Sequence, residues 1–155
     1  MEPYEEIING ETLLRAAPGA RHERICAFLH GAISAALISN SVTAILGPRS
    51  IIQLSAGTMV RPDLSLVTIA TGKPWLIAEI INSADHRADT VIKKALYEDL
   101  NVPRLWMIDP RYDNLERYEG TPYGLVLRGI LTGREVLRES LLPQLGLRIE
   151  ELFAV

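Results

Sequence analysis

Cysteine is almost absent from this chain, since Cys26 is the only one among 155 residues. One cysteine can form neither a disulfide within the chain nor a thiolate metal site, so we expect a cytoplasmic protein. Long apolar runs are also missing, and none approaches the roughly 18 residues of a membrane-spanning helix. The acidic start, Met1–Glu6, does not fit a secretory signal peptide.

Basic charge is in short supply as well: 16 Lys and Arg stand against 19 Asp and Glu, giving a net charge of −3 and a pI of about 5.6. General nucleic-acid-binding domains are usually basic, so this balance argues mildly against that class. It does not exclude a nuclease, because acidic metal ligands lower the pI. The chain shows no repeat, linker or low-complexity segment, which favours one domain over residues 1–155.

The spacing of apolar residues predicts an α/β (α+β) domain. Asn9-Gly10 separates two short β-like runs and indicates an N-terminal hairpin. Helical periodicity covers Arg21–Ile38 and Asp89–Leu100. Trp75–Ile81 and Arg104–Ile108 are nearly continuous apolar runs, typical of central strands buried on both faces. Further strands are predicted over 4–8, 12–15, 42–46, 50–54, 63–69, 115–118, 123–127 and 136–137, with a C-terminal meander and a helical turn over 149–153.

Two carboxylates stand out against this apolar background. Asp63 begins a predicted strand after Arg61-Pro62, and Glu79 is the single acid within Trp75–Ile81. A buried carboxylate is costly unless it is paired or binds a cation. Each acid also has a structural explanation. Taken by itself, Asp63 could simply be an aspartate that ends a turn. Glu79 could form a structural salt bridge to Arg104 or Arg61.

A lysine lies on the helix that follows Glu79. On a helical wheel of 100° per residue, the buried face consists of Ile92, Ala95, Leu96 and Leu100. Lys94 points into water, whereas Lys93 lies at the edge of the buried face, on the same side as Asp89 and Tyr97. If one lysine enters the site, we expect Lys93. The alternative is a surface Asp89–Lys93 pair worth a few tenths of a kcal/mol.

Asp63, Glu79 and Lys93 together fit the chemistry of phosphodiester hydrolysis. Mg²⁺ or Mn²⁺ takes oxygen ligands, and a bound metal lowers the pKa of a water and offsets charge on phosphate. Two carboxylates can hold such a cation, and a lysine can orient the water or stabilise developing charge. The pattern therefore predicts a metal-dependent phosphodiesterase.

Several segments resemble one known family. They are the runs Arg-Pro-Asp-Leu-Ser-Leu-Val and Leu-Ile-Ala-Glu-Ile-Ile, then Asp89 with Lys93 and Tyr97, then Asn-Val-Pro-Arg-Leu-Trp-Met-Ile-Asp-Pro. The helix start His22–Ile25 and the closing Leu-Pro-Gln-Leu-Gly-Leu also fit. Together they resemble the Uma-type restriction endonuclease family of the PD-(D/E)xK nuclease superfamily, over nearly the whole chain.

The resemblance implies a restriction-endonuclease-like fold, with a mixed central sheet flanked by helices. It also implies a cation between Asp63 and Glu79, with the backbone carbonyl of Ile80 as a further ligand. The simplest superfamily pattern has a lysine two residues after the second acid, where this chain has Ile81. In the Uma-type relatives the lysine comes from the following helix, which is the place of Lys93.

Other residues take weaker roles. Glu23 is a candidate accessory acid, although a glutamate in a first helical turn equally suits the helix dipole. Asp89 and Tyr97 are further accessory candidates. The loop Asn82–Arg87 lacks the proline usual in the relatives, so substrate contacts by His86 and Arg87 are a weaker expectation than simple exposure.

These observations leave several functions open. The leading hypothesis is a Mg²⁺- or Mn²⁺-dependent endonuclease acting on DNA, and RNA or a small phosphate ester would need the same chemistry. The alternative is a catalytically silent nuclease fold that binds a partner or nucleic acid. The apolar meander around Tyr118, Tyr123, Leu125 and Leu127 could form a homodimer interface, with simple sheet packing as the other explanation.

Overall fold

A six-stranded mixed sheet forms the centre of the computed structural model, which describes residues 2–155. Met1, the first residue of the predicted domain and of the acidic start, lies outside the described residues. The strands are β1 (Tyr4–Ile8), β2 (Glu11–Arg15), β3 (Thr43–Ile45), β4 (Ile52–Ser55), β5 (Thr58–Val60), β6 (Leu64–Thr68), β7 (Pro74–Ile80), β8 (Arg104–Asp109), β9 (Asn114–Thr121), β10 (Gly124–Thr132), β11 (Val136–Glu139) and β12 (Leu142–Arg148).

Within residues 2–155, three helices and one π-helical turn accompany the strands. They are α1 (Ala20–Ala36), the π-helical turn Ala88–Lys93, α2 (Lys94–Asp99), which continues it, and α3 (Ile149–Phe153). No helix among the described residues is long and apolar enough to cross a membrane.

The central sheet has the strand order β10-β9-β8-β7-β6-β3, and of the strand pairs among the described residues only β7 and β8 run parallel. A parallel pair needs a crossover connection, and the π-helical turn with α2 supplies it. A second sheet has the order β2-β1-β5-β4, and β11 pairs with β12. The N-terminal hairpin, the mixed sheet flanked by helices and the C-terminal meander β8–β10 confirm the predicted fold class.

Two apolar clusters pack on opposite faces of the central sheet. The first joins α1, α3 and β12 to β7 through residues such as Ala78 and Ile80. The second joins Leu96 and Tyr97 of α2 to β7 through Ile77 and to β8 through Leu105. Strand β7 is buried on both faces, as its continuous apolar run predicts. Glu79 shares the second face with Ile77.

The structure corrects two sequence-based predictions. The helix predicted over Asp89–Leu100 is not α-helical at its start, since residues 88–93 form a π-helical turn. Strands β5 and β12 were not predicted. Pro143 and Gly146 normally weaken a strand, but β12 pairs only with β11 and so tolerates them.

Candidate active site

Pairing between β6 and β7 brings the two predicted carboxylates together. Leu64 pairs with Ala78, so Asp63 arrives beside Glu79. The Asp63 N–H donates to Glu79 Oε1 at 3.3 Å, and the Ile80 N–H donates to Asp63 Oδ2 at 2.8 Å. Both side chains are buried. Backbone donors therefore fix both carboxylates in orientation.

Lys93 reaches the same cluster from the π-helical turn. Its Nζ lies 2.6 Å from Glu79 Oε2 and 2.9 Å from Glu6 Oε2, and the residue is 0% exposed. Glu79 thus pairs with Lys93. The two arginines considered as alternatives lie elsewhere: Arg104 pairs with Glu119 and Glu139, and the Arg61 side chain donates to the Arg49 carbonyl.

The helical wheel placed Lys93 at the edge of the buried face and so underestimated how deeply its side chain is buried. Lys93 is fully buried, whereas Ile92 is 36% exposed and Ala95 is also exposed. A π-helical turn bonds i to i+5 and is wider than an α-helical turn, so the assumed 100° per residue does not apply there. The surface Asp89–Lys93 pair is also excluded, because both side chains are buried.

Arg15 extends the cluster into the N-terminal hairpin. Its guanidinium lies 2.6 Å from Glu6 Oε1, 2.9 Å from Asp85 Oδ2 and 2.8 Å from Asp89 Oδ1. One arginine therefore ties β1, β2 and the loop after β7 to the lysine-bearing turn. Asp89, an accessory candidate, contacts Arg15.

His22 and Arg49 flank Asp63 on the other side. The Arg49 guanidinium lies 3.0 Å from Asp63 Oδ1 and 2.7 Å from Glu23 Oε2. His22 Nε2 lies 3.0 Å from the Ile80 carbonyl oxygen and 3.3 Å from Asp63 Oδ2. A carbonyl oxygen only accepts, so Nε2 carries the proton. Glu23 reaches Asp63 only through Arg49 and His22.

Burial and charge set the protonation of these groups. Burial alone would raise the pKa of Asp63, but the hydrogen bond and charge of His22 and the Ile80 N–H hold it below its usual value. Burial raises the pKa of Glu79 well above normal. The charge of Lys93 acts to lower this pKa, and the nearby acids Asp89, Asp63 and Glu6 raise it further. An additional cation beside Glu79 would favour its ionised form.

Lys93 keeps its proton. Burial alone would lower the pKa of its amine, but Glu79, Glu6 and Asp89 raise that pKa well above the usual value. Lys93 is therefore a fixed cation and hydrogen-bond donor, not a general base. Tyr97 packs against it, with Nζ 5.9 Å from the ring centroid.

The remaining predicted residues lie outside this cluster. His86 and Arg87 are exposed at the helical start that leads into the π-helical turn. The structure assigns no contact with the buried carboxylates to either side chain, which agrees with simple exposure.

Sequence reasoning missed five residues of the cluster: Glu6, Arg15, His22, Arg49 and Asp85. His22 carried a signal, because it precedes the buried Ile25, Cys26 and Leu29 at helical spacings. A polar residue on that stripe should face the interior. Glu6 and Arg15 gave a weaker signal, since a hairpin strand can expose either face. Arg49 gave none, because it lies in a loop at φ +56°.

The donor set fits a hard divalent cation only when backbone is counted. Among residues 2–155, no group of three His, Cys, Asp or Glu side chains is arranged to hold a metal ion. The Ile80 carbonyl and Asp63 Oδ2 nevertheless converge on His22 Nε2. An N–H therefore lies between two oxygens suited to a cation. For a metal to bind there, the imidazole would have to move aside or become a ligand itself.

Comparison with known proteins agrees with the fold. The Uma2 family model, described as "Putative restriction endonuclease", matches residues 2–150. The chain belongs to the Uma2 family. Among solved structures, a protein from Anabaena variabilis described as a putative nuclease of DUF820 superposes with a TM-score of 0.81 at 15% identity, covering 99% of this chain and 92% of that one. No curated protein sequence matches the chain. At this identity the Anabaena structure shows that this Uma2 chain has the fold of that protein.

Proposed function

We propose that this Uma2 chain is a Mg²⁺- or Mn²⁺-dependent endonuclease that hydrolyses phosphodiester bonds in DNA. The observation that carries the proposal is the 2.6 Å contact between Lys93 Nζ and Glu79 Oε2 beside Asp63. Asp63, which directly precedes β6, Glu79 of β7 and an amine from a later turn share one buried cluster. The family description supports nuclease chemistry. A cytoplasmic location belongs to the same proposal.

Asp63, Glu79 and the Ile80 carbonyl would hold the cation, and His22 Nε2 is close enough to join them after losing its proton. A bound divalent cation would lower the pKa of a water and offset charge on the phosphate. The Ile80 N–H and Arg49 fix the two oxygens of Asp63. These ligands are therefore oriented in advance, which reduces the rearrangement needed for binding.

Lys93 supplies the positive charge in this proposal. Glu6 and Glu79 hold its ammonium group from two sides, so it can donate to the attacking water or to a non-bridging phosphate oxygen without searching for position. Its raised pKa means that it stabilises charge and does not remove a proton. The water would therefore lose its proton to bulk solvent or to another base.

A supercoiled plasmid tests the proposal directly. Wild-type protein with Mg²⁺ or Mn²⁺ should convert it to nicked and linear forms, which an exonuclease cannot do to a closed circle. Asp63→Asn should lose this activity, whereas Glu151→Gln, at an exposed position, should keep it. Identical traces for wild type and Asp63→Asn with both metals would refute the proposal. Parallel assays with RNA and a simple phosphodiester would define the substrate class.

A catalytically silent binding module is the second candidate. The observation that favours it is the closure of the cluster, since Lys93 and Glu79 are both buried and already paired. Melting curves with Mn²⁺ separate the two candidates, because a ligand bound by the native state raises the melting temperature. A silent module without a metal site would give a flat response.

We also propose a homodimer, formed at the edge strand β10. Its outer edge has no strand neighbour among the described residues, and Val126, Leu127 and Ile130 are exposed on it. Two other meander residues face the protein interior. Tyr118 packs in the core, which agrees with the alternative of simple sheet packing, and Leu125 is half-buried. Sedimentation equilibrium should give twice the 17.2 kDa chain mass, and Leu127→Glu should return the monomer.

A further inference from the structure

A cleft opens beside the candidate active site where three segments meet. It has a volume of about 340 Å³ and is lined by Gly19–His22, Ile81–Ser83 and Pro110–Arg111. Because β7 and β8 are parallel, the last two segments follow strand ends on the same side of the sheet. Ile81 directly follows Ile80, whose carbonyl is a proposed metal ligand. The cleft therefore adjoins the proposed metal position.

The start of α1 provides hydrogen-bond donors to this cleft. The helix has 17 residues, and its N-cap is Gly19, which has no side chain to cap the first turn. The first N–H bonded within the helix is that of Glu23, which donates to the Gly19 carbonyl at 3.1 Å. The N–H groups of residues 20–22 have no acceptor within the helix. Such N–H groups and the helix dipole attract anions.

His22 is an independent observation that points to a ligand in the cleft. The residue is only 9% exposed, yet its buried Nδ1 has no hydrogen-bond partner among the described residues. Glu23 Oε1 lies 3.4 Å from Nδ1 but makes no hydrogen bond with it. The opposite nitrogen, Nε2, faces Asp63 and Ile80. The ring therefore connects the cleft with the carboxylate proposed to hold the metal.

Two arginines line the same cleft and are held in place. Arg21 donates to the Pro110 carbonyl at 2.8 Å, to Asp113 at 3.0 Å and to the Phe153 carbonyl at 3.2 Å. Arg111 makes two bonds to Asp109, at 3.0 and 2.9 Å. Both guanidinium groups remain partly exposed. Their aspartate partners fix them but are not among the residues that line the cleft.

We propose that this cleft binds a backbone phosphate of the nucleic-acid strand, next to the phosphate that is cleaved. The inference rests on the proposed nuclease function and adds to it a substrate subsite. The ligand is an internal phosphodiester, held by the N-terminal N–H groups of α1, by the two arginines and by His22 Nδ1 when that nitrogen carries a proton. The cleft lies at the small end of the roughly 300–1,000 Å³ range of ligand pockets, which suits one nucleotide unit.

Ser83→Asp tests the subsite by adding a negative charge to the cleft wall. Ser83 is exposed, so the fold should tolerate the change. Ser41→Asp is the matched control, since Ser41 is exposed and precedes β3, whose Thr43 pairs with Thr68 at the far end of β6 from Asp63. The probe is a fluorescent single-stranded octanucleotide without terminal phosphates, in EDTA so that no cleavage occurs, and binding is followed by anisotropy.

Ser83→Asp should weaken octanucleotide binding about tenfold by charge repulsion, and Ser41→Asp should change it less than twofold. Arg111→Gln should weaken binding in the same direction. In the cleavage assay, Ser83→Asp should raise KM and leave kcat within about threefold. Equal affinities for Ser83→Asp and Ser41→Asp would overturn the subsite, and so would binding that requires a terminal phosphate or that inorganic phosphate displaces at equal concentration.

The two proposals fail in different ways. Cleavage by wild type with an unchanged KM in Ser83→Asp would remove the subsite and leave the nuclease function in place. Octanucleotide binding that Ser83→Asp weakens, together with no cleavage under Mg²⁺ or Mn²⁺, would remove the nuclease function and leave the subsite in place.

Discussion

The ammonium group of Lys93 lies 2.6 Å from the carboxylate of Glu79, although Lys93 comes 14 positions after Glu79 along the chain. The simplest superfamily pattern would place the lysine two residues after the acid, at Ile81, but Ile81 packs in the apolar cluster beside α2. The π-helical turn carries Lys93 back to Glu79, and Glu6 of the hairpin holds it there. The amine is therefore held by one carboxylate from strand β1 and one from strand β7.

Lys93→Met should cost both stability and activity. It leaves Glu6 and Glu79 buried without their shared cation, and breaking a buried pair costs about 3–5 kcal/mol. Adding Glu6→Gln to Lys93→Met should recover part of the lost unfolding free energy, because the double variant has one buried unpaired carboxylate fewer. Urea denaturation of the single and double variants should give a coupling energy of at least about 1 kcal/mol. Additive losses would show that Glu6 and Lys93 act independently.

In the plasmid assay Lys93→Met should be at least about 100-fold slower.

Asp63→Asn should abolish stabilisation by metal. A ligand at 100 times its Kd stabilises the native state by about 2.7 kcal/mol, which for a chain of this size is a rise in Tm of about 5–10 °C. The measurement is the increment on adding Mn²⁺, because Asp63→Asn also removes a partner of Arg49 and lowers the starting Tm. Glu151→Gln should keep the full increment. An increment that survives in Asp63→Asn would place the metal elsewhere.

Arg15→Lys should not preserve the hairpin contacts. The guanidinium reaches Glu6, Asp85 and Asp89 at once, whereas an ammonium is a compact charge that cannot match this fork. We expect a loss of about 2–4 kcal/mol in urea denaturation and faster amide exchange in residues 82–89. Arg24→Lys, at an exposed position of α1, should stay within about 0.5 kcal/mol. Equal stability of the two variants would contradict the predicted role of Arg15.

Two glycines should respond to alanine in opposite directions. A Cβ at Gly120 would lie 2.6 Å from the Val102 carbonyl oxygen, and backbone cannot move aside cheaply. Gly120→Ala should therefore cost about 1–3 kcal/mol. A Cβ at Gly31 would meet nothing within 4 Å, and Gly31 lies inside α1, so Gly31→Ala should stabilise by about 0.4–1 kcal/mol. Thermal denaturation of both variants in one buffer gives the comparison, and a shared sign would contradict it.

The sequence predicted most of the central sheet, because β7 and β8 are nearly continuous apolar runs, and such runs are typical of buried strands. Asp63 and Glu79 could be singled out for the same reason, as acids next to residues that must be buried. The burial of Lys93 was underestimated, because a wheel assumes α-helical geometry and the turn is π-helical. Glu6 and Arg15 could not be found, since the buried side of a hairpin depends on which distant elements cover it. His22 could have been found from its spacing to Ile25.

The β1–β2 hairpin has a consequence for work with shortened forms of this protein. Deleting residues 2–18 would spare Asp63, Glu79 and Lys93, and a motif search would still report an intact nuclease signature. The surviving lysine would nevertheless have lost Glu6, and Asp85 and Asp89 would have lost Arg15. Inactivity of such a fragment would therefore not test the proposed nuclease function, and affinity tags are better attached after α3 than before β1.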